Sequence, residues 1–199
     1  MNAPQERPRA EHRGMNPEGG MKWWQGYFAT MGERVDKRFA EAGVVYWVPA
    51  GAMPLDLFSS LREASLCFSV SRFLATISMS SALVEIIINR DSRMANRQGV
   101  HRLDGWASLS NRNLREARET GLPVVELLDS GEDLANDQPP IRFVRLRHKV
   151  AHGDLRDFPE ALSDYSPPYE DEARDQLNKA MRFLIAWFNS TPDIQRAIT

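Results

Sequence analysis

The segment that most constrains the fold covers residues 69–89, which contain no Gly or Pro. Such a segment predicts one unbroken helix, about 30 Å long at 1.5 Å per residue. Its apolar side chains form two stripes about half a turn apart. The first stripe is Val70, Phe73, Leu74, Ile77, Val84 and Ile88, and the second is Met79, Leu83, Ile86 and Ile87. Because a helix that is apolar on two sides must be covered on two sides, we expect it to be the core element of a helical protein.

The second stripe leaves two arrangements open. In one, the first stripe faces sister helices and the second forms a homodimer surface, where Ser78, Ser80, Ser81 and Ala82 would permit close approach. In the other, both stripes are buried within one subunit. Glu85 borders the first stripe, and the sequence leaves open whether it pairs with an arginine from elsewhere in the fold or is solvated.

Four further segments are predicted to be helical. The first runs from Pro54 to about residue 67, and the second covers residues 110–120 and has a short extension to residue 128. The third begins near Pro140 and should stop around residue 152, because Gly153 is typical of the position past a helix end; Gly121 ends the second in the same way. The last follows the acidic residues 170–172, which complement the helix dipole. Its apolar stripe is Ala173, Leu177, Ala180, Met181, Leu184, Trp187 and Phe188. These segments predict an all-α, up-and-down bundle of four to five helices over residues 54–191.

Two different segments precede this bundle. Residues 1–20 are polar, rich in Pro, Gly and Arg, and without apolar periodicity, so we expect a disordered arm. Residues 21–53 form an aromatic-rich extension, for which we expect a helix over about residues 23–42 and an extended piece over residues 44–48. Large aromatic side chains are usually buried, so packing is favoured over stacking on RNA bases.

Composition restricts where the chain acts. A net charge of −2 makes it no polycation, so any binding of nucleic acid must come from local basic clusters. Cys67 is the single cysteine, which excludes an internal disulfide and a zinc site of four cysteines. We find no secretory signal and expect no segment that spans a membrane, so the expected location is the cytoplasm.

The sequence RLRHKVAHGD over residues 145–154 carries the strongest chemical signal. It places Arg147 and His152 five positions apart, with His148 between them. Arginine is permanently charged and binds phosphate oxygens with two parallel hydrogen bonds, whereas histidine exchanges protons near neutral pH. Arginine and histidine together suit phosphodiester chemistry.

Helical geometry assigns faces to this segment. At 100° per residue, Phe143, Leu146 and Val150 fall on one side and form the expected core stripe. Both histidines fall on the opposite side, together with the apolar Ile141 and Val144. Apolar side chains there would be unusual on a free surface, so we expect a partner subunit to cover this face.

An arginine, a polar residue, three spacers, a histidine and a glycine inside a helical bundle resemble the HEPN superfamily, whose signature is R-x4-6-H. The resemblance extends over residues 54–189, including the central helix RFLATISMSSALVEIII and the third helix WASLSNRNLREARETG. The slot after the arginine is commonly asparagine in that family and is His148 here. Residues 1–53 are not covered by the resemblance.

The resemblance implies a metal-independent endoribonuclease that works as a homodimer, with its site at the dimer interface where the two copies of the motif meet. Such proteins are often the toxin of a toxin–antitoxin pair or an abortive-infection effector in defence. RNA supplies its own nucleophile, the 2′-hydroxyl, so the enzyme needs a base, an acid and positive charge but no cofactor or metal. By motif position, Arg147 would stabilise the phosphate and His152 would be the general base or acid. His148 would orient the site or transfer the second proton. Sequence-blind contacts to the RNA backbone would come from Arg145, Lys149 and Arg156.

Four other interpretations stay open. The bundle is an inactive module for RNA binding or dimerisation. His148 and His152, spaced i and i+4, bind zinc with Asp154 as the nearby third ligand. The basic helix is a solvated face whose arginines pair with the acidic residues 157–175. Finally, the same arginine and histidine bind a nucleotide rather than an RNA chain.

Overall fold

The computed structural model of the protein describes residues 37–38, 53–91, 108–135, 138–153 and 169–191. Lys37 and Arg38 are helical, and the four longer ranges form five α-helices and one 3-10 helix. The α-helices are α1 (Leu55–Ser69), α2 (Phe73–Arg90), α3 (Asn111–Glu119), α4 (Arg142–His152) and α5 (Glu170–Ser190), and the 3-10 helix is Val124–Leu127. No strand occurs in the described ranges, which confirms the predicted all-α class.

Some sequence-based predictions lie outside the described residues. These are the disordered arm over residues 1–20, the extended piece over residues 44–48, most of the helix predicted for residues 23–42, Asp154 and Arg156. Of that N-terminal helix, the two described residues are helical as expected.

A tight turn joins α1 to α2. Ser71 has a φ of 64°, in the left-handed region that residues other than glycine seldom adopt. Arg72 closes the turn by donating its backbone N–H to the Cys67 carbonyl at 2.7 Å. As a result α2 begins at Phe73, later than predicted, and Val70 lies in the turn with 52% of its surface exposed.

Helix α2 lies at the centre of the bundle and contacts α1, α4 and α5. Both of its apolar stripes are largely covered within one subunit. The buried members are Phe73, Ile77, Leu83, Val84, Ile87 and Ile88, whereas Leu74, Met79 and Ile86 are half-buried. Burial within one subunit therefore accounts for Leu83 and Ile87 of the second stripe, whereas Met79 and Ile86 keep part of their surface accessible.

The length and composition of α2 also meet the general requirement for crossing a membrane. The expectation that no segment spans a membrane remains a prediction. Half of the helix is buried by its neighbours, as expected for the core helix of a bundle, which passes the same test.

The two longest helices, α2 and α5, run in the same direction. At one end, Ala173 and Leu177 of α5 pack in a cluster with Phe73 and Ile77 of α2. At the other end, the buried Trp187 indole N–H donates to Asp91 Oδ2 at 2.8 Å. Helix α4 runs the opposite way, since its later residue Leu146 joins the first cluster whereas its earlier residues pack with the second half of α2.

Arg38 attaches the N-terminal extension to the bundle, a role that the sequence did not suggest. Arg38 is 2% exposed, and its guanidinium forms a two-pronged contact with Glu170, at 3.0 Å from Nε and 2.6 Å from Nη2. Nη1 donates to Ser71 Oγ at 2.7 Å, and the guanidinium lies 5.1 Å from the centre of the Phe73 ring. One arginine therefore binds both the α1–α2 turn and the start of α5.

Burial and charge act in opposite directions on Glu170. Burial alone would raise the pKa of this carboxyl, but hydrogen bonds and positive charge from Arg38 and Arg174 outweigh that effect. The pKa of Glu170 is therefore lowered, and the carboxylate is charged at neutral pH.

Candidate functional site

Side chains from outside α4 fix where the helix begins. Ile141 precedes the helix, and its apolar side chain cannot cap it. The Ile141 N–H instead donates to Asn111 Oδ1 of α3 at 3.0 Å. The N–H of Arg142 donates to Glu132 Oε1 at 2.6 Å. These two contacts satisfy backbone donors that a helix start leaves unpaired.

The other end of α4 follows the prediction. Gly153 adopts a left-handed conformation with φ 65°, and its N–H donates to the Val150 carbonyl at 3.3 Å. The helix stops at His152 for the reason argued from the sequence, because glycine takes this conformation without steric cost.

The faces of α4 differ in part from those predicted. Phe143 and Leu146 are buried as expected, and Val150 is half-buried. Ile141 and Val144, which we expected to be covered by a partner subunit, are instead 2% and 1% exposed within the subunit itself. The first half of α4 is covered on both sides because it packs between α2 and the chain around residues 109–134. This part of the argument for a dimer is therefore wrong.

A buried amide holds α4 against its neighbours. Gln176 of α5 is fully buried, and its Nε2 donates to Ser81 Oγ of α2 and to the Phe143 carbonyl of α4, both at 3.0 Å. Three helices are linked at one point, one turn before the motif arginine.

The two motif histidines lie next to each other on the second half of α4. Their ring centroids are 6.3 Å apart and the rings are nearly perpendicular, at 86°. His148 is half-buried and His152 is exposed. The i, i+4 spacing places the two imidazoles on one helix face, as predicted from the sequence.

The motif arginine is held by a buried carboxylate. Arg147 Nη2 lies 2.8 Å from Glu85 Oε1 of α2, and the same oxygen accepts the Leu109 N–H at 2.8 Å. The Glu85 side chain is 11% exposed and that of Arg147 is 27% exposed. This result settles the alternatives left open for Glu85, which pairs with an arginine from a distant segment. Since a guanidinium has five N–H donors, a pair through Nη2 leaves donors for a second acceptor.

The predicted substrate-binding cations occupy different environments. Arg145 is exposed and forms no ion pair with another described residue, whereas Lys149 is half-buried. Arg156 lies outside the described residues. The structure thus places Arg145 and Lys149 on the same helix as both histidines but gives no position for the third cation.

Two alternatives from the sequence can be compared with these contacts. Across the described ranges, no group of three or more His, Cys, Asp or Glu side chains is arranged to hold a metal ion, and Asp154 falls outside those ranges. The acidic residues Glu170 and Asp171 pair with Arg38 and Arg174 rather than with the arginines of α4.

Comparisons with known proteins do not assign this chain to a family. No family model, curated protein or solved structure matches this chain.

Sequence reasoning missed the residues that position α4. Asn111 and Glu132 lie 30 and 10 residues before their partners. Asn111 stands directly after Ser110, whose hydroxyl caps α3 by accepting the Asn113 N–H. Local sequence signals explain the role of Ser110 but not that of Asn111. No sequence signal marked Glu132, which lies between two of the predicted helical segments.

Proposed function

We propose that this protein is a metal-independent endoribonuclease of the toxin or abortive-infection type. The observation that carries the proposal is the pair of adjacent imidazoles, His148 and His152, at the accessible end of α4 and within about one and a half turns of Arg147. The resemblance of this segment to the HEPN motif supports the same activity.

The chemistry requires three functions at one phosphate. A base removes the proton from the 2′-hydroxyl, an acid protonates the leaving 5′-oxygen, and a cation stabilises the extra negative charge of the transition state. Histidine can serve as base or acid because it ordinarily exchanges protons near neutral pH. Arg147 supplies the positive charge.

Glu85 adds an element that the motif alone does not contain. A guanidinium fixed by a buried carboxylate needs no reorganisation when the transition state forms, which favours electrostatic stabilisation. The partial exposure of Arg147 is compatible with contact to an RNA phosphate.

The proposed assembly and partners follow from the resemblance. We propose a homodimer in the cytoplasm that binds RNA through the backbone, using Arg145, Lys149 and Arg156, and that a protein antitoxin restrains. With Ile141 and Val144 buried within the subunit, any dimer contact at α4 would involve its second half rather than its first.

A second candidate is an inactive module for RNA binding, nucleotide binding or dimerisation. The Arg147–Glu85 ion pair favours it, because a carboxylate already compensates the charge that catalysis would use. Under this alternative, Arg147 is a structural link between α4 and α2.

A nuclease assay distinguishes the two candidates. Purified protein is incubated with 5′-labelled RNA in excess EDTA, next to the His152→Ala variant and the control Arg112→Ala, which removes an exposed cation from α3. The proposal predicts cleavage with 2′,3′-cyclic phosphate ends for wild type and the control, a loss of about 10²- to 10⁴-fold for His152→Ala, and no cleavage of RNA carrying a 2′-O-methyl at the cleaved position. Binding of RNA by wild type without cleavage would establish the inactive module instead.

A further inference from the structure

The imidazole of His148, the second one of the motif, supports an inference beyond the proposed activity. Cleavage needs one base and one acid. If each copy supplied a single histidine beside its arginine, two copies would have to share a site to provide both proton-transfer groups. Here His148 fills the neighbouring slot, and its ring centre lies 6.3 Å from that of His152 on the same helix.

This separation suits one phosphodiester. An acid or base acts at hydrogen-bond distance, about 2.6 to 3.2 Å, from its oxygen. Two such bonds to two oxygens on one phosphorus span a gap of the size that separates the imidazoles. Their nearly perpendicular planes mean that the two rings are not stacked on each other.

We infer that His148 and His152 of one copy are the paired base and acid for the same phosphodiester, so that the partner copy supplies neither proton-transfer group. This inference rests on the proposed ribonuclease function and concerns which chain completes the site. The alternative is a composite site in which His148 of one copy acts with His152 of the other.

The reaction balances with these two groups. One neutral imidazole takes the proton of the 2′-hydroxyl while the 2′-oxygen bonds to phosphorus. The other, protonated imidazole gives its proton to the 5′-oxygen while the bond from phosphorus to that oxygen breaks. The products are a 2′,3′-cyclic phosphate and a 5′-hydroxyl, and one proton has passed between the two histidines.

Among the described residues, charged groups near the pair are contributed by α4 and α2. On α4 these are Arg145 and Lys149, each three residues before one of the histidines, and Arg147. Helix α2 contributes Glu85, which pairs with Arg147. Three of these four described groups are positive, as needed where a dianionic transition state forms.

The first test is the pH dependence of kcat/KM for the wild type and His148→Asn. Asparagine keeps hydrogen bonding at this position but cannot transfer a proton between about pH 5 and 8. We expect a bell-shaped wild-type profile, and in the variant a loss of about 10²-fold or more together with disappearance of one limb. A variant that keeps both limbs would show that His148 only orients the site and would overturn the inference.

The second test mixes damaged copies. His148→Ala and His152→Ala chains are co-expressed with different tags, and the doubly tagged species is assayed on RNA. If both groups act within one copy, no mixed species contains an intact pair and activity stays at the level of the single variants. Recovery of the doubly tagged species to about one half of wild-type activity would indicate a shared site, since a two-fold mixed dimer would then keep one of its two sites intact.

Each remaining outcome also either supports or overturns the inference. Cleavage by a protein that forms no mixed species shows that one copy is sufficient and supports the inference. Failure of the wild type to cleave RNA overturns the proposed function and the inference together, whereas recovery on mixing overturns the inference alone. Circular dichroism of both variants checks that the helices are intact before either assay.

Discussion

At the residue scale, the contact between Arg147 and Glu85 decides how the motif arginine can meet a phosphate. Glu85 Oε1 accepts hydrogen bonds from both the Arg147 guanidinium and the Leu109 backbone N–H. Through this one oxygen, Arg147 is linked to α2 and, indirectly, to the chain before α3. A side chain fixed in this way is aimed before substrate arrives.

The Arg147→Lys variant should therefore lose activity although it keeps its charge. A lysine ammonium is a point charge and cannot donate two parallel hydrogen bonds to a phosphate while also reaching Glu85. We expect kcat to fall at least about tenfold and RNA binding to change little. Steady-state kinetics and filter binding measure the two effects, with Arg112→Lys as the matched control; equal activity of Arg147→Lys and wild type would contradict a two-pronged role.

Replacing the carboxylate tests the same pair from its other side. Glu85→Gln keeps an oxygen that can accept the Leu109 N–H but removes the charge that holds Arg147. We expect a loss of about 1 to 3 kcal/mol in the free energy of unfolding, measured by urea titration, because a buried charge-assisted bond is weakened. An unchanged unfolding free energy would mean that the pair contributes nothing to the fold.

At the element scale, the placement of α4 depends on caps that come from elsewhere in the chain. Glu132 bridges two backbone donors, accepting from Arg142 at 2.6 Å and from Asp129 at 3.0 Å. Asp129 in turn pairs with Lys179 of α5, a lysine that is 2% exposed. The loop before α4 is thus attached to α5 and holds the start of the motif helix.

The Glu132→Ala variant should loosen this attachment. Loss of a helix cap costs about 0.5 to 2 kcal/mol, and the first turn of α4 should then exchange its amide hydrogens faster. Urea unfolding and hydrogen exchange measure both effects, and Glu63→Ala on the exposed face of α1 is the control. Protection of the Arg142 amide that is the same in Glu132→Ala as in wild type would show that the cap is not needed.

Sequence reasoning succeeded for the elements whose signals are local. Gly121 and Gly153 both adopt positive φ past helix ends, and the acidic residues 170–172 begin α5, as predicted. Sequence reasoning failed where a contact with a distant residue determines the local structure. Ser71 reverses the chain after α1 with no glycine to announce it, and the cover over Ile141 and Val144 comes from segments far away in the sequence. Gln176 and Lys179 are polar residues at buried positions of α5, and periodicity of apolar side chains cannot identify them.

At the scale of the whole molecule, the ion pair between Arg38 and Glu170 connects the described part of the N-terminal extension to the bundle. Arg38 reaches Glu170 and Ser71 at the end of the bundle to which the second half of α4 also extends. The lowered pKa of Glu170 makes this connection sensitive to acid.

The direction of the pH effect follows from the sign of that shift. Because the pKa of Glu170 is lower in the folded protein than its ordinary value of 4.5, its contribution is fully present above that value and is lost as the pH falls through the lower folded value. Urea unfolding from pH 7 to pH 3 should therefore show that wild type exceeds Glu170→Gln in stability at neutral pH and that the difference shrinks below about pH 4.5. A difference that is constant with pH would contradict the role of the charged carboxylate.

The central claim for the molecule is that the exposed end of α4 cleaves RNA without a metal, and cleavage in excess EDTA by wild type and by His152→Ala tests it most directly. We predict cyclic-phosphate products from the wild type and almost none from the variant. Equal RNA degradation by both proteins, or cleavage that EDTA abolishes, would contradict it.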